Sequence, residues 1–194
     1  MGLAGVFFGL LVGWIVGSQQ TNGRQPPAAV ATAAPAQQQQ PGGAPAPPPL
    51  DEARVSAMRT VAQQNPTDAV TRTQLGNTYF DSGRYQEAAE WYEAALKING
   101  KDVNASTDLG IAYYYMNQAD KALAQFDRSL DVDPKHAKTL LNIGIVRAFG
   151  KQDLKGASEA WQRVLVVAPG TDEARAAQQA LDGVKSAHPE IGKN

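Results

Sequence analysis

The sequence contains no cysteine and only two histidines, His136 and His188. The absence of cysteine excludes disulfide bonds, thiolate nucleophiles and cysteine-ligated zinc sites. Two histidines leave little from which to build a histidine metal site, so we expect no metal and no cofactor. Lys and Arg number 18 against 19 Asp and Glu. This near-neutral balance lacks the basic surface that nucleic-acid binding requires, so we expect no nucleic-acid partner.

Charge is also almost absent from the first quarter of the chain, where Arg24 is the one charged residue among residues 1–50. Residues 3–17 are uncharged, and a helix of 15–17 residues here would span roughly 22–26 Å. This length is at the short edge for a membrane helix and the long edge for a signal-peptide core. We predict that residues 1–18 are an uncleaved membrane anchor. A cleaved signal peptide and a buried soluble helix are the alternatives.

Four glycines recur at every fourth position of this segment: Gly5, Gly9, Gly13 and Gly17. On a helix they form one stripe that lets two backbones approach closely. The stripe predicts a homodimer or docking on another membrane helix, although glycine is also simply common in membrane segments. With Arg24 as the one flanking cation, the positive-inside rule does not fix the orientation.

Residues 19–50 are rich in proline, alanine and glutamine, and 18–50 hold eight of the twelve prolines. Such a composition cannot bury a core, so we predict a disordered linker with polyproline II character. Fully extended, it would reach about 100 Å. A ligand for a proline-binding domain is a weaker alternative.

A period of 34 residues organises the rest of the chain. Each unit carries an apolar residue followed by glycine, then an alanine, then an aromatic residue four positions later. These are Leu75-Gly76, Ala88 and Tyr92; Leu109-Gly110, Ala122 and Phe126; and Ile143-Gly144, Ala157 and Trp161. The third unit has one extra residue, which we expect in the turn at residues 150–153.

This pattern resembles the tetratricopeptide repeat (TPR) family, and further matches are Tyr79, Ala95, Leu96, Tyr113, Ser129, Leu130, Pro134, Val164, Leu165 and Pro169. Gly100 stands where the family has proline, and Arg147 where tyrosine is usual. The resemblance implies an all-α fold, a right-handed superhelix of stacked helical hairpins with capping helices. One repeat cannot bury its own apolar face, so stability comes from stacking.

The domain boundaries follow from this register, and they predict eight helices. The TPR domain covers residues 51–187, with a helix start at Asp51-Glu52 and an N-cap at Thr171. Its parts are a partial unit at 51–66, repeats at 69–102, 103–136 and 137–171, and a capping helix at 171–187, followed by a tail at 188–194.

The resemblance also implies a concave groove, lined by the first helix of each hairpin, that binds a protein or peptide. Carried over by repeat position, its residues are Thr73, Gln74, Asn77, Phe80, Asp108, Ile111, Tyr114, Tyr115, Lys138, Leu141, Asn142 and Ile145. We expect Asn77 and Asn142 to hold the backbone of a bound peptide. Tyr114 and Tyr115 offer flat apolar area with a polar tip.

Some TPR domains of chaperone adaptors clamp a terminal carboxylate with Lys and Asn side chains at these places. Asn77 and Lys138 match that clamp. However, Thr73, Asp108 and Asn142 stand where it needs Lys, Asn and Arg, and Asp108 would repel a carboxylate. The sequence therefore argues against this clamp.

These features predict a non-enzymatic scaffold, tethered to a bacterial inner membrane with the TPR domain outside the cytoplasm. Residues 161–165 with Pro169 are similar to TPR components of cytochrome c maturation complexes, whereas a generic envelope-assembly scaffold is the broader reading. A cytoplasm-facing docking or regulatory factor is the alternative. An enzyme ranks third, because the sequence has no phosphate-binding glycine loop, nucleophile elbow or HExxH motif.

Overall fold

The computed structural model describes residues 46–189. The predicted membrane anchor, its glycine stripe, most of the predicted linker and the last five residues lie outside this range. None of the helices within residues 46–189 has the length and apolar composition of a membrane span.

Residues 46–189 form eight α-helices and one π-helical turn, and they contain no strand. The helices are α1 (Glu52–Gln64), α2 (Ala69–Asp81), α3 (Tyr85–Ile98), α4 (Val103–Tyr115), α5 (Ala119–Val132), α6 (Ala137–Ile145), α7 (Leu154–Val167) and α8 (Asp172–Ala187). The π-helical turn, Val146–Gly150, extends α6 directly.

Consecutive helices pack as antiparallel hairpins, α2 with α3, α4 with α5, and α6 with α7. The inner helices also touch one another across the array, since α4 contacts α6 and α6 contacts α8. The inner helices α2, α4 and α6 therefore line the concave face, and the outer helices α3, α5 and α7 form the convex face. Helices α1 and α8 cover the two ends. The expected all-α solenoid of stacked hairpins is confirmed.

Five helices begin at a side-chain N-cap. In each, an Asp or Thr oxygen accepts a hydrogen bond from the backbone amide three residues later, at 2.8–3.2 Å. Each cap supplies a partner for an amide that the first helical turn leaves unpaired. The capping residues are Asp51, Asp68, Asp102, Asp153 and Thr171, and the helix starts predicted at Asp51 and Thr171 are confirmed.

Each hairpin is closed by an aromatic ring that lies against the glycine of the inner helix. Tyr92 meets Gly76, Phe126 meets Gly110 and Trp161 meets Gly144, so closely that a methyl group on any of these glycines would overlap the ring. The three rings are almost completely buried. The repeat motif is therefore a packing motif, in which glycine makes room for the aromatic residue of its own hairpin.

The extra residue of the third repeat lies in the helix, and its predicted place in the turn at 150–153 is wrong. Gly83, Asn117 and Gln152 occupy equivalent places in the three turns, each with a positive φ. The turn itself has therefore kept its length. The additional residue is absorbed where α6 widens into the π-helical turn, and the amide of Lys151 bonds to the carbonyl of Val146, five residues back. A single widened turn of this kind is the form in which π-helix mostly occurs within α-helices.

Candidate binding surface

The twelve predicted groove residues all lie on the inner helices, but they differ in exposure. Gln74 is exposed, and Thr73, Asn77, Phe80, Tyr114, Tyr115 and Lys138 are half-buried. The remaining five are buried: Asp108, Ile111, Leu141, Asn142 and Ile145. The accessible members are concentrated on α2 and at the carboxyl end of α4.

Ile111 shows why repeat position alone does not predict exposure. It belongs to a core cluster with Phe126, Ile143 and Val146. Because the inner helices contact one another along the array, part of the face assigned to the groove becomes part of the core.

Two of the predicted residues form an ion pair between neighbouring inner helices. Lys138 Nζ on α6 donates to Asp108 Oδ1 on α4 at 2.6 Å, and the two side chains are 26% and 12% exposed. In an ion pair that is so poorly solvated, each charge depends on the other, because removing one leaves the other charge buried and uncompensated. The predicted site therefore contains a pair without net charge, and the cation that a carboxylate clamp would need is already engaged.

Asn77 is oriented by the aromatic residue that closes its own hairpin. The Tyr92 hydroxyl donates to Asn77 Oδ1 at 2.8 Å. Burial raises the pKa of Tyr92 well above its usual range, so this hydroxyl remains a donor. With its oxygen engaged, Asn77 has its amide NH₂ group left to donate. Asn142 differs, since its own amide donates to the carbonyl of Lys138 at 2.8 Å.

Four aromatic rings meet where α2 ends, α3 begins and α4 ends. Tyr85 stacks on Tyr115 with ring centroids 4.6 Å apart, and Phe80 meets both edge-on at 5.1 and 5.4 Å. Tyr114 lies 6.1 Å from Tyr115. Burial and the neighbouring phenols of Tyr85 and Tyr114 raise the pKa of Tyr115 to about 12. We call these four residues the aromatic cluster; it is neutral at physiological pH.

Tyr85 is the member of the aromatic cluster that sequence reasoning missed. It is the first residue of an outer helix, whereas the groove was assigned from the inner helices alone. The short turn between α2 and α3 brings it back to Phe80, five residues earlier. Aromatic residues that flank a hairpin turn would have been the signal.

His136 has a structural role at the junction of the second and third repeats. It is the N-cap residue of α6, and its Nδ1 lies 2.7 Å from Thr139 Oγ1, which in turn lies 2.7 Å from Thr107 Oγ1. Burial lowers the pKa of His136. Within residues 46–189 no group of three His, Asp or Glu side chains could hold a metal ion.

Comparison with known proteins identifies the family. Two models of the tetratricopeptide repeat match the chain, one over residues 67–135 and the other over residues 107–189. The chain therefore belongs to the tetratricopeptide repeat family. The human tetratricopeptide repeat protein 21A is 50% identical over 40 residues, which are 21% of this chain and 3% of that protein.

Solved structures show the same fold. MamA superposes with a TM-score of 0.60 at 22% identity, covering 72% of this chain and 81% of that one. The first TPR of Spaghetti (RPAP3), bound to the HSP90 peptide SRMEEVD, gives 0.55 at 24% identity, with 61% and 91% covered. The second TPR domain of human RPAP3, in complex with the HSP70 peptide SGPTIEEVD, gives 0.54 at 22% identity, with 60% and 94% covered.

Proposed function

We propose that this chain is a non-enzymatic scaffold that binds a protein segment on its concave face, at the aromatic cluster. The observation that carries the proposal is the position of this cluster, partly exposed at the carboxyl ends of two inner helices and the start of α3. Aromatic side chains with polar tips supply much of the contact energy in protein interfaces. The two RPAP3 domains with the same fold are complexed with peptides, which supports a peptide as the ligand here.

The chemistry of this surface favours a neutral segment over an acidic one. Lys138 is neutralised by Asp108 at 2.6 Å, so the concave face has no free cation at the place where a carboxylate clamp would need one. The amide NH₂ of Asn77 can donate to a backbone carbonyl of the ligand. The aromatic cluster can receive an apolar or aromatic side chain. A ligand of this kind differs from the acidic peptides of the RPAP3 complexes.

Selection from a random peptide library on the immobilised full chain tests this function. Peptides recovered from the selection are synthesised, and their affinities are measured for the wild type and for two variants. Tyr114→Ala removes one ring of the aromatic cluster. Asn77→Asp keeps the oxygen that Tyr92 needs but removes the amide donor. We expect each variant to weaken binding by about tenfold or more.

Val166→Thr is the matched control, since Val166 lies exposed on the outer helix α7. Its affinity for the same peptides should equal that of the wild type. If the selected peptides bind Tyr114→Ala and Asn77→Asp as tightly as the wild type, the peptides do not bind at the aromatic cluster, and the proposed site is wrong.

We further propose that residues 3–17 tether the scaffold to a bacterial inner membrane, with the TPR domain outside the cytoplasm. Support comes from the uncharged apolar composition of this segment, and its glycine stripe supports pairing with a second copy or another membrane helix. A phosphatase fused after Asn194 should be active in the membrane fraction at full mass. If instead a fluorescent protein fused after Asn194 is fluorescent and the phosphatase is inactive, the alternative of a cytoplasm-facing docking factor is favoured.

The likeness of residues 161–165 to TPR components of cytochrome c maturation complexes supports a more specific version of this proposal. In that version, the ligand is an apocytochrome segment that contains a haem-attachment motif. Synthetic peptides with a Cys-x-x-Cys-His sequence should then bind the full chain, and the same peptides with both cysteines replaced by serine should bind less tightly. No binding at high micromolar concentration would remove this version and leave the general scaffold intact.

A further inference from the structure

A cleft opens on the convex face between the outer helices α3 and α5, above α4. Its volume is about 340 Å³, which lies at the small end of the range for ligand sites. Its floor includes Ser106, Leu109 and Gln125, and its rim includes Lys97, Gly100 and Arg128. None of these residues is among the twelve predicted groove residues or in the aromatic cluster, so the cleft is separate from the proposed peptide site.

The equivalent places at the other two junctions between repeats are filled. Ser106 corresponds to Arg72 in the repeat before and to Leu140 in the repeat after, each 34 residues away. Arg72 donates to the carbonyls of Ala62 at 2.9 Å and Asn65 at 3.1 Å, so it fills its junction with its own side chain. Leu140 is completely buried. The cleft therefore exists because a small polar residue replaces a large one at this junction alone.

Two neighbouring positions carry polar residues where the third repeat has apolar ones. Ser129 corresponds to Val164, and Gln125 corresponds to Ala160, in the third repeat. Gly100 stands where the later repeats have Pro134 and Pro169, although a Cβ at Gly100 would meet nothing closer than the carbonyl of Leu96 at 3.5 Å. Backbone geometry does not require glycine there, and its missing side chain leaves one end of the cleft open.

The floor of the cleft is a polar network that is preformed. Gln125 Nε2 donates to Ser106 Oγ at 2.7 Å, and the hydroxyls of Ser106 and Ser129 lie 2.8 Å apart. Ser129 Oγ also lies 3.2 Å from the carbonyl of Gln125. These contacts fix the Gln125 amide, and this amide group has a second hydrogen to offer. Buried polar groups of this kind hold a fixed geometry when they are mutually hydrogen-bonded.

The rim of the cleft carries an excess of positive charge. Neither Lys97 nor Arg128 forms an ion pair with any residue in the 46–189 range, and Arg128 Nη1 donates to Gln125 Oε1 at 3.3 Å. The acid on this rim, Glu93, accepts a hydrogen bond from the Tyr113 hydroxyl at 2.7 Å. At the next junction the counterpart of Arg128, which is Arg163, reaches back to the carbonyl of Pro134. Arg128 makes no such contact and leaves the cleft open.

We propose that this convex cleft binds an acidic side chain of a partner protein, flanked by apolar residues. Lys97 and Arg128 pair with the carboxylate, the Gln125 amide donates to it, and Leu109 contacts its methylene groups. Ile98 lies beside Lys97 and is 38% exposed, and Val132 lies one helical turn after Arg128 and is 43% exposed. They offer apolar contact to the flanking residues. The scaffold then has two binding faces and can join two partners.

Nuclear magnetic resonance of the ¹⁵N-labelled full chain in detergent tests this site. The probes are two capped peptides, acetyl-Ala-Val-Glu-Leu-Ala-amide and the same peptide with Gln in place of Glu. We expect the Glu peptide to shift the Gln125 side-chain signal and the backbone signals of Ser106 and Leu109 saturably. The Gln peptide should bind at least about tenfold more weakly. Equal affinity for both peptides, or no saturable shift up to about 10 mM, would overturn the proposal.

Two variants separate the shape of the cleft from its charge. Ser106→Leu with Ser129→Val copies the packing of the next junction, so it should fold and should lose the binding of the Glu peptide. Lys97→Gln with Arg128→Gln keeps the shape and should reduce binding of the Glu peptide to the level of the Gln peptide. Undiminished binding by the charge variant would contradict the proposal, even if the filled variant failed to fold.

Discussion

The Trp161 indole lies directly against the α-carbon of Gly144, and its Nε1 donates to the carbonyl of Leu141 at 3.2 Å. The ring therefore covers the inner helix of its hairpin and also pairs with that helix's backbone. Tyr92 and Phe126 lie in the same way over Gly76 and Gly110. Each hairpin of the scaffold is held by this contact, which brings inner and outer helices together and so sets where the binding faces lie.

Adding a methyl group at Gly144 should therefore destabilise the fold. Gly144→Ala would gain about 1 kcal/mol of helix propensity but force the buried indole to move, which typically costs about 1–3 kcal/mol or more. Because the indole is held by its hydrogen bond, we expect the cost to lie near the top of this range, which gives a net loss of about 2 kcal/mol. Urea denaturation followed by circular dichroism measures it. Gly100→Ala is the control and should be close to neutral, whereas wild-type stability of Gly144→Ala would contradict this packing.

Asn77 and Tyr92 should be energetically coupled. Asn77→Ala leaves the buried Tyr92 hydroxyl without its acceptor, which should lower the free energy of unfolding by about 1–3 kcal/mol. In a Tyr92→Phe background the same change should cost much less, because no donor is left unpaired. Denaturation of the two single variants and the double variant gives the coupling energy. Additive losses would show that the hydrogen bond makes no contribution.

The turn of the third repeat should become more stable with glycine at position 152. Gln152 has φ of 57°, and the equivalent residue of the first turn is Gly83, with φ of 76°. Side chains other than glycine are strained in this region, so Gln152→Gly should stabilise the fold by about 0.5–1 kcal/mol. Gln162→Gly, the same substitution within α7, should destabilise it by about 0.5–1 kcal/mol. If thermal melts show that both substitutions are destabilising, the strained backbone conformation assigned to Gln152 is wrong.

His136 should make stability depend on pH. Burial, with Lys138 acting in the same direction, lowers the pKa of His136, while Asp133 opposes the shift. The unfolded chain therefore takes up a proton near pH 6.5, before the folded chain does. This contribution is complete above about pH 6.5 and is lost as the pH falls toward the lower pKa of the folded state. Between pH 7.5 and 5.5, urea denaturation should show a smaller loss for His136→Asn than for the wild type.

The periodic sequence predicted those parts of the structure that depend on local packing. Gly144, Ala157 and Trp161 stand at fixed spacings because one hairpin must bring them together, so their register predicts the hairpin. Asp51 and Thr171 predict helix starts for a similarly local reason. The extra residue of the third repeat was misplaced, since a helix can absorb an insertion as a π-turn and leave no mark in the spacing.

Exposure on the concave face could not be predicted from the repeat, because it depends on how neighbouring hairpins stack. Ile111 and Ile145 occupy groove positions in the repeat, yet both are buried. The convex cleft could not be predicted from a single repeat either. Ser106 looks unremarkable within its own repeat, and only comparison with Arg72 and Leu140 shows that a large side chain is missing.

Site-specific photo-crosslinking in living cells tests most directly whether the concave face binds a protein segment. A benzoylphenylalanine residue is placed in the full chain at Gln74 or Tyr114 on the concave face, or at Val166, which is 80% exposed on the convex face. The account predicts that irradiation gives the same discrete protein adduct from positions 74 and 114, and that Asn77→Asp reduces it. An adduct from position 166 with none from the two concave positions would contradict it.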